Sequence, residues 1–228
     1  MKTAVVNGIG WICDGAYGSV RQGRRVELTG RQTLQTLAKA DGLFAYPVAN
    51  WGRFNAAARL TCCACALALR DAGVPYAAGT KMPEIGLLGT APDGSLEANR
   101  EYFRDYVDSG RTLARGNLFI YTLPSSALAE AAIHFGLQGP MTYLYSPAEP
   151  YAALLEAAAG MIAAGEAAAM LAVATDATGA VCHVLDPRQP IEGRAFEQIQ
   201  SAIARARGAA TIAALTEAYC DAGRGKGQ

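Results

Sequence analysis

Nucleophilic chemistry in this chain would have to come from its six cysteines and two histidines, because a thiolate beside an imidazole can attack an acyl group. Cys182 and His183 are adjacent within an apolar run at residues 180–185. Neighbouring side chains on a β-strand point to opposite faces of the sheet, so these two cannot hydrogen-bond as nucleophile and base. The sequence therefore does not predict a Cys–His dyad.

The other cysteines lack the spacing of a metal site. Cys62, Cys63 and Cys65 fall within an apolar helical run at residues 60–69 and point in different directions. We therefore predict reduced, mostly buried thiols and no metal.

Gly8-Ile9-Gly10 follows a predicted strand, but the third glycine of a dinucleotide fingerprint is missing, so no cofactor is predicted.

The segment Ser146-Pro147-Ala148-Glu149 joins a short predicted strand to an Ala-rich helix. A thiol at a helix start has a lowered pKa, because the helix dipole favours the thiolate. This segment contains no cysteine. Glu149 lies in the first helical turn, where a carboxylate suits the positive helix end, and we interpret it as structural rather than as a general base.

Composition excludes several classes of function. The chain has 228 residues, a net charge of zero and a hydrophobic fraction of 51%. These values indicate one large or two small globular domains and argue against a nucleic-acid partner. No run approaches the ~18 apolar residues of a membrane span, and no signal peptide is visible, so we expect a cytoplasmic protein without a membrane partner.

Alternating short β-rich and longer helical runs predict a layered α/β fold with a mixed five-stranded sheet and helices on its faces. Gly8-Ile9-Gly10 is expected to end the first strand, residues 19–55 to be irregular, and Phe103, Tyr106 and Val107 to face inward. A tight turn at 176–179 predicts an antiparallel hairpin. Predicted strands cover 3–7, 84–90, 141–145, 169–175 and 180–185, and predicted helices cover 59–72, 96–109, 124–135, a stretch ending at 161–166, and 194–222.

Five stretches, taken in order, carry a family resemblance: 5–10, 66–73, 84–90, 134–140 and 160–166. Together they resemble the N-terminal half of the β-ketoacyl synthases, which belong to the thiolase superfamily. The stretch His134-Phe135-Gly136-Leu137-Gln138-Gly139-Pro140 is the most specific. The resemblance implies a thiolase-like half-domain over residues 1–186, followed by a helical extension over residues 187–228.

The same resemblance places Ala148 where the family keeps its catalytic cysteine. The degenerate nucleophile position then comprises Ser146, Pro147, Ala148 and Glu149. The family's second half, which supplies two histidines and a lysine, has no counterpart in this chain. The resemblance therefore implies no catalytic residue and a subunit that cannot condense.

This chain is most similar to the short, cysteine-less, chain-length-factor-type partners of aryl-polyene and polyketide systems. The resemblance implies a non-catalytic subunit that pairs with an active β-ketoacyl synthase in fatty-acid, polyketide or aryl-polyene biosynthesis, with acyl carrier protein as a further partner. Two alternatives stay open. One is a thiolase-superfamily acyltransferase whose chemistry has moved to Glu149, Ser146 or Cys182. The other is a homodimeric module that binds acyl groups or acyl carrier protein.

The resemblance also implies where a partner binds. It places residues 180–185 at a sheet edge that pairs across a dimer axis, and an apolar edge must be covered. The helix at 124–135 is expected beside it, in an interface above the ~1,000 Å² of a specific contact. His134 is interpreted as a surface or capping residue of that helix. We therefore expect five residues in the interface: Val181, His183, Val184, Leu128 and His134.

Overall fold

The computed structural model describes residues 4–13, 15–28, 34–39, 42–112, 114–146, 149–187 and 194–222. The strands are β1 (Val5–Cys13), β2 (Ala16–Ser19), β3 (Arg24–Glu27), β4 (Ile85–Thr90), β5 (Met141–Tyr143), β6 (Ala169–Thr175) and β7 (Gly179–Asp186). The helices are α1 (Ala56–Asp71), α2 (Leu96–Asp108), α3 (Gly116–Ile120), α4 (Ser126–Phe135), α5 (Pro150–Ala164), α6 (Arg194–Ala206) and α7 (Ile212–Ala222).

The strands form one mixed sheet in the order β3-β2-β1-β7-β6-β4-β5, which confirms the predicted α/β class. β4 pairs in parallel with β5 and β6, and the remaining pairs are antiparallel, including the predicted β6–β7 hairpin. The sheet has seven strands rather than five. β2 and β3 were missed because each has only four residues and β3 reads Arg-Arg-Val-Glu, a weak strand pattern.

β1 continues through Gly8-Ile9-Gly10 to Cys13, so the prediction that these glycines end the strand is wrong. Their role is to allow the backbone of α1 to pack directly against the strand. A Cβ atom on Gly8 would lie 2.4 Å from the backbone nitrogen of Ala72, and one on Gly10 would lie 2.3 Å from that of Ala68. Only strand residues without side chains allow the helix backbone to approach this closely.

A buried carboxylate fixes the end of α1 against the sheet. Asp71 accepts hydrogen bonds from the backbone N–H groups of Ile9 at 2.9 Å and of Arg21 and Gln22 at 3.0 Å each. Burial raises the pKa of Asp71, whereas these donors oppose that shift. One side chain thus joins β1, α1 and the turn between β2 and β3. Gly73 follows in the left-handed region, as the helix end requires.

β7 occupies the centre of the sheet, so the prediction that residues 180–185 form an edge is wrong. It pairs with β1 on one side and β6 on the other, and all its residues are buried. The edge position was implied by the family resemblance, whereas the continuous apolar run of this strand is typical of a strand covered on both faces. Among the described strands, β3 and β5 form the two edges of the sheet.

Helices cover both faces of the sheet. α1 packs on β1, β7 and β6, with α4 and buried side chains such as Leu43 and Phe54 beside it. α5 packs on β4 and β6, and α6 and α7 pack on the opposite face from α1, against β1 and β7. Ile199 and Tyr219 share a core with Ile9 on that face. The proposed domain boundary after residue 186 stays a prediction.

α2 departs from its predicted orientation. Phe103 is 63% exposed, Val107 is 39% exposed, and α2 has no buried residue. The amphipathic pattern was recognised correctly, but the contact of α2 with α3 leaves Phe103 and Val107 exposed. The expectation that side chains of α2 face inward is therefore wrong for Phe103 and Val107, whereas Tyr106 is half-buried.

Close packing of α1 on β1 gives a direct test of the fold. We expect Gly10→Ala to lower the free energy of unfolding by about 3 kcal/mol, because its methyl group collides with helix backbone that cannot move aside. Gly160→Ala in α5 is the matched control. Its Cβ would meet nothing within 4 Å, so it should stabilise by about 0.5–1 kcal/mol. Urea denaturation measures both, and equal effects at the two glycines would contradict the packing argument.

Candidate functional site

A cavity of about 270 Å³ lies at the carboxyl ends of the three parallel strands. Thr90 of β4, Tyr143 of β5 and Thr175 of β6 contribute to its lining. Loops that follow parallel strands meet at one edge of a sheet, which is where α/β proteins commonly bind ligands. The amino ends of α1 and α2 border the same cavity, through Asn55 and Ser95 respectively.

Several hydroxyl groups in this lining are hydrogen-bonded within the chain. The Tyr143 hydroxyl donates to the Ala91 carbonyl at 2.8 Å, and the Thr61 and Thr175 hydroxyls are 3.1 Å apart. Tyr121 donates to a Glu130 carboxylate oxygen at 3.1 Å, and burial raises the pKa of Tyr121. This arrangement holds the walls together and suits binding better than nucleophilic chemistry.

The predicted nucleophile segment lies on the loop between β5 and α5. Ser146 is half-buried, and Glu149 is exposed and immediately precedes α5, where its carboxylate makes no capping hydrogen bond. Pro147 and Ala148 lie outside the described residues. The absence of a thiol at position 148 thus rests on the sequence.

Cys182 does not lie near that loop. It pairs with Gly10 and Val173 in the interior of the sheet, and it is fully buried. Burial raises the pKa of the Cys182 thiol well above its usual value, which disfavours the thiolate. The structure therefore does not bring Cys182 together with Ser146 and Glu149.

His183 faces away from Cys182, towards α7. Its Nε2 lies 2.7 Å from the Tyr219 hydroxyl, and burial lowers the pKa of His183 to about 4. Cys182 belongs to the core on the α1 side of the sheet. The opposite orientations that excluded a dyad on sequence grounds are thus observed.

His134 is buried, so its interpretation as a surface or capping residue is wrong. Its ring packs among Phe44, Tyr46, Tyr76 and Phe135, with ring centroids 4.4 to 6.2 Å away. Tyr46 also donates its hydroxyl to the His134 carbonyl. Burial lowers the pKa of His134 to about 4. Two of these aromatic partners, Phe44 and Tyr46, come from the segment at 19–55 that the sequence left irregular.

All five predicted interface residues contribute to the chain's own core. Val181, His183 and Val184 are buried in β7, and Leu128 and His134 are buried in α4. Their side chains are used within one chain, which removes the physical basis for assigning them to a partner surface. On α4, the residue that does reach the surface is Ile133, which is 77% exposed.

Within the described residues, no cluster of three or more histidine, cysteine, aspartate or glutamate side chains is arranged to hold a metal ion. In the same part of the chain, no helix combines the length and apolar character needed to cross a membrane.

Comparison with solved structures identifies similar folds. A β-ketoacyl synthase from Burkholderia phymatum superposes with a TM-score of 0.60 and 17% identity, covering 82% of this chain and 59% of that one. The ishigamide ketosynthase/chain length factor superposes with a TM-score of 0.60 and 14% identity, covering 96% of this chain and 81% of that one. A ketosynthase in complex with its chain length factor from Xenorhabdus doucetiae superposes with a TM-score of 0.53 and 15% identity, covering 81% of this chain and 79% of that one.

The chain has the β-ketoacyl synthase fold. It spans 59% of the length of the Burkholderia phymatum enzyme, and identities below 20% establish the ketosynthase fold alone. No family model matches the sequence, and no curated protein matches it significantly. The predicted thiolase-like architecture is therefore confirmed.

The sequence did not predict the cavity at the carboxyl ends of β4, β5 and β6. Sequence reasoning found these three strands, but it did not consider that their carboxyl ends meet. The parallel pairing of β4 with both neighbours brings Thr90, Tyr143 and Thr175 together. Tyr121 had no sequence signal, since its place depends on how the link between α3 and α4 folds over α1.

Protonation of His183 should make stability fall in acid. Its pKa is about 4 in the folded chain against 6.5 as a reference, so between these values the unfolded chain binds the proton and the folded chain does not. Stability should therefore decrease as pH falls from 6.5 to 4, by up to about 1.4 kcal/mol per pH unit.

Urea denaturation of wild type and His183→Asn across that range measures this contribution. The variant should show a shallower pH dependence. Tyr219→Phe is the matched control, because it removes the hydrogen bond at Nε2 but keeps the titrating ring. An unchanged slope in His183→Asn would contradict the burial of a neutral imidazole.

Proposed function

We propose that this chain is a non-catalytic ketosynthase-like subunit that pairs with an active β-ketoacyl synthase in fatty-acid, polyketide or aryl-polyene biosynthesis. The observation that carries the proposal is a ketosynthase fold whose loop between β5 and α5 contains no cysteine. Likeness to a ketosynthase in complex with its chain length factor supports it. Without a cysteine at this loop, the chain has no thiol there to carry an acyl intermediate.

β5 is the edge that we assign to the partner. Leu87 donates its N–H to the Pro140 carbonyl, and Leu144 donates to the Gly89 carbonyl. Hydrogen-bonding groups of successive strand residues point to alternate sides, so the backbone groups of Met141 and Tyr143 point away from β4. Another strand can pair there by adding to the sheet.

The opposite edge is less suited to pairing. β3 carries Arg24, Arg25 and Glu27, and charged residues protect an edge from strand addition. Arg25 also contacts Glu27 and the Cys220 thiol of α7. β5 contains no charged residue, and Met141 is 43% exposed. The sheet therefore has one protected edge and one open edge.

Exposed apolar side chains enlarge the candidate partner surface. α2 and α3 are in contact, with the Tyr102 and Phe119 rings 5.5 Å apart. Patches of this kind mark interaction sites more often than isolated exposed residues do. The exposed apolar residues of these elements and of α4 are Leu96, Phe103, Val107, Phe119, Ile120 and Ile133.

Both alternatives from the sequence stay distinguishable. For an acyltransferase with relocated chemistry, Cys182 is excluded as the nucleophile because it is fully buried. The remaining candidate residues are Ser146 and Glu149. A homodimeric module that binds acyl groups or acyl carrier protein would use the same β5 edge between two copies. The identity of the partner separates it from the leading proposal.

Pairing is tested by changing β5. Met141→Lys places a charge on the open edge and should abolish co-purification with an active β-ketoacyl synthase that is co-expressed with this chain. Glu156→Lys, on the exposed face of α5, is the control and should leave the complex intact. Light scattering after size exclusion gives the stoichiometry. A wild-type homodimer that ignores the ketosynthase, or complexes equally stable in both variants, would contradict the proposal.

Catalysis is tested on the isolated chain. We expect no malonyl decarboxylation, no condensation and no covalent acyl loading. Ala148→Cys should gain faster alkylation by iodoacetamide, since a thiol at a helix start has a lowered pKa, yet it should still not elongate chains. Elongation by that variant, or acyl loading of wild type at Ser146, would favour an enzyme instead.

A further inference from the structure

The cavity at the ends of β4, β5 and β6 has an apolar interior and an acidic mouth. Apolar side chains at its wall include Leu128, Val173 and Leu123, the last of which is 59% exposed at the opening. Among the described residues, no lysine or arginine lines the cavity. Four carboxylates do line it: Asp93, Glu97, Glu101 and Asp176.

Asp176 is committed to local structure. Its carboxylate accepts hydrogen bonds from the backbone N–H groups of Thr178 at 2.7 Å and Gly179 at 3.1 Å, and from Ile212 at 3.3 Å. Asp93 precedes α2, Glu97 and Glu101 lie in the first two turns of α2, and all three are exposed. Arg100 contacts Glu97 at 3.7 Å, but this pair is largely exposed and its interaction is weak. The mouth therefore keeps a negative field.

Two helix amino ends border the cavity and would on their own favour an anion. At α1, however, the Asn55 side chain already accepts the N–H of Ala58 at 2.9 Å. At α2, Glu97 lies in the first turn and Asp93 just before it, so the positive helix end already faces negative charge. An anionic head group would meet these carboxylates, whereas a cationic one would be attracted.

The size of the cavity limits the ligand further. At roughly 30 Å³ for each water-sized group, 270 Å³ holds about nine such groups. A lysine side chain supplies only four methylenes and an ammonium group, so it would leave much of the apolar wall uncovered. A longer aliphatic chain fits better.

We propose that this cavity binds a free aliphatic amine, with its apolar chain inside and its positively charged end at the acidic mouth. This proposal goes beyond pairing with a ketosynthase and does not depend on it, because every contact comes from this chain. The carboxylates at the start of α2 select the charge, and the walls formed by α4 and the strand ends select the aliphatic chain.

Isothermal titration calorimetry of the full chain with octylammonium, octanol and octanoate tests the proposal. At about 0.01 M salt we expect octylammonium to bind about tenfold more tightly than octanoate, with octanol between them. At about 0.5 M salt the difference should largely disappear, because exposed charges are screened. Octanoate binding as tightly as octylammonium at low salt, or no binding by any probe, would overturn the proposal.

Variants locate the site. The double change Glu97→Gln and Glu101→Gln should weaken octylammonium about threefold or more and leave octanol unchanged, whereas Glu156→Gln on α5 should change neither. Ala127→Phe should fill the cavity and remove all binding. If that variant does not fold, Ala98→Phe serves the same purpose.

A final arm distinguishes a free amine from a basic protein segment. N-acetyl-lysinamide should bind at least tenfold more weakly than octylammonium, because it fills little of the cavity. Equal affinity would mean that the site accepts a lysine side chain and would overturn the proposal. The proposal would also be overturned if Glu156→Gln weakened octylammonium binding as much as the double change Glu97→Gln and Glu101→Gln does.

Discussion

The close approach of α1 to β1 is the constraint on which the rest of the structure depends. Gly8 and Gly10 leave the strand without side chains where the helix backbone crosses it. α1 is then buried on nearly all sides, which explains why a helix containing three cysteines and many alanines carries so few charged groups. Asp71 fixes the depth and direction of the helix, because three backbone donors from two segments meet its carboxylate.

That placement orders the remaining elements. α1 reaches β6 and β7 as well as β1, so it spans the middle of the sheet, and α4 and α5 pack on β4. Its amino end, capped by Asn55, then lies at the carboxyl ends of the parallel strands and forms one wall of the cavity. Tyr143 ends the open edge strand and lines the same cavity. A partner at that edge would therefore sit next to the cavity mouth.

Local sequence patterns predicted elements well but predicted neighbours poorly. β6 was found at its observed bounds, and the turn at Asp176 identified the β6–β7 hairpin correctly. The central position of β7 depends on β1, which lies far away in the sequence, and no local pattern encodes that pairing. The burial of His134 likewise depends on aromatic residues from an irregular segment. At the site, the missing cysteine was visible in the sequence, whereas the acidic mouth required α2 to be placed in space.

The antiparallel pairing of β1 with β7 joins strands that lie far apart in the sequence, and the Asn7 and Asp186 side chains, 179 positions apart, are hydrogen-bonded across it. During synthesis, β1 leaves the ribosome long before β7 exists, roughly 10 to 30 s earlier at about 5–20 residues per second. The nascent chain must therefore carry α1, with its apolar surface, until the strand that completes its packing is made. Such non-local pairing slows folding and extends the period in which chaperones can bind.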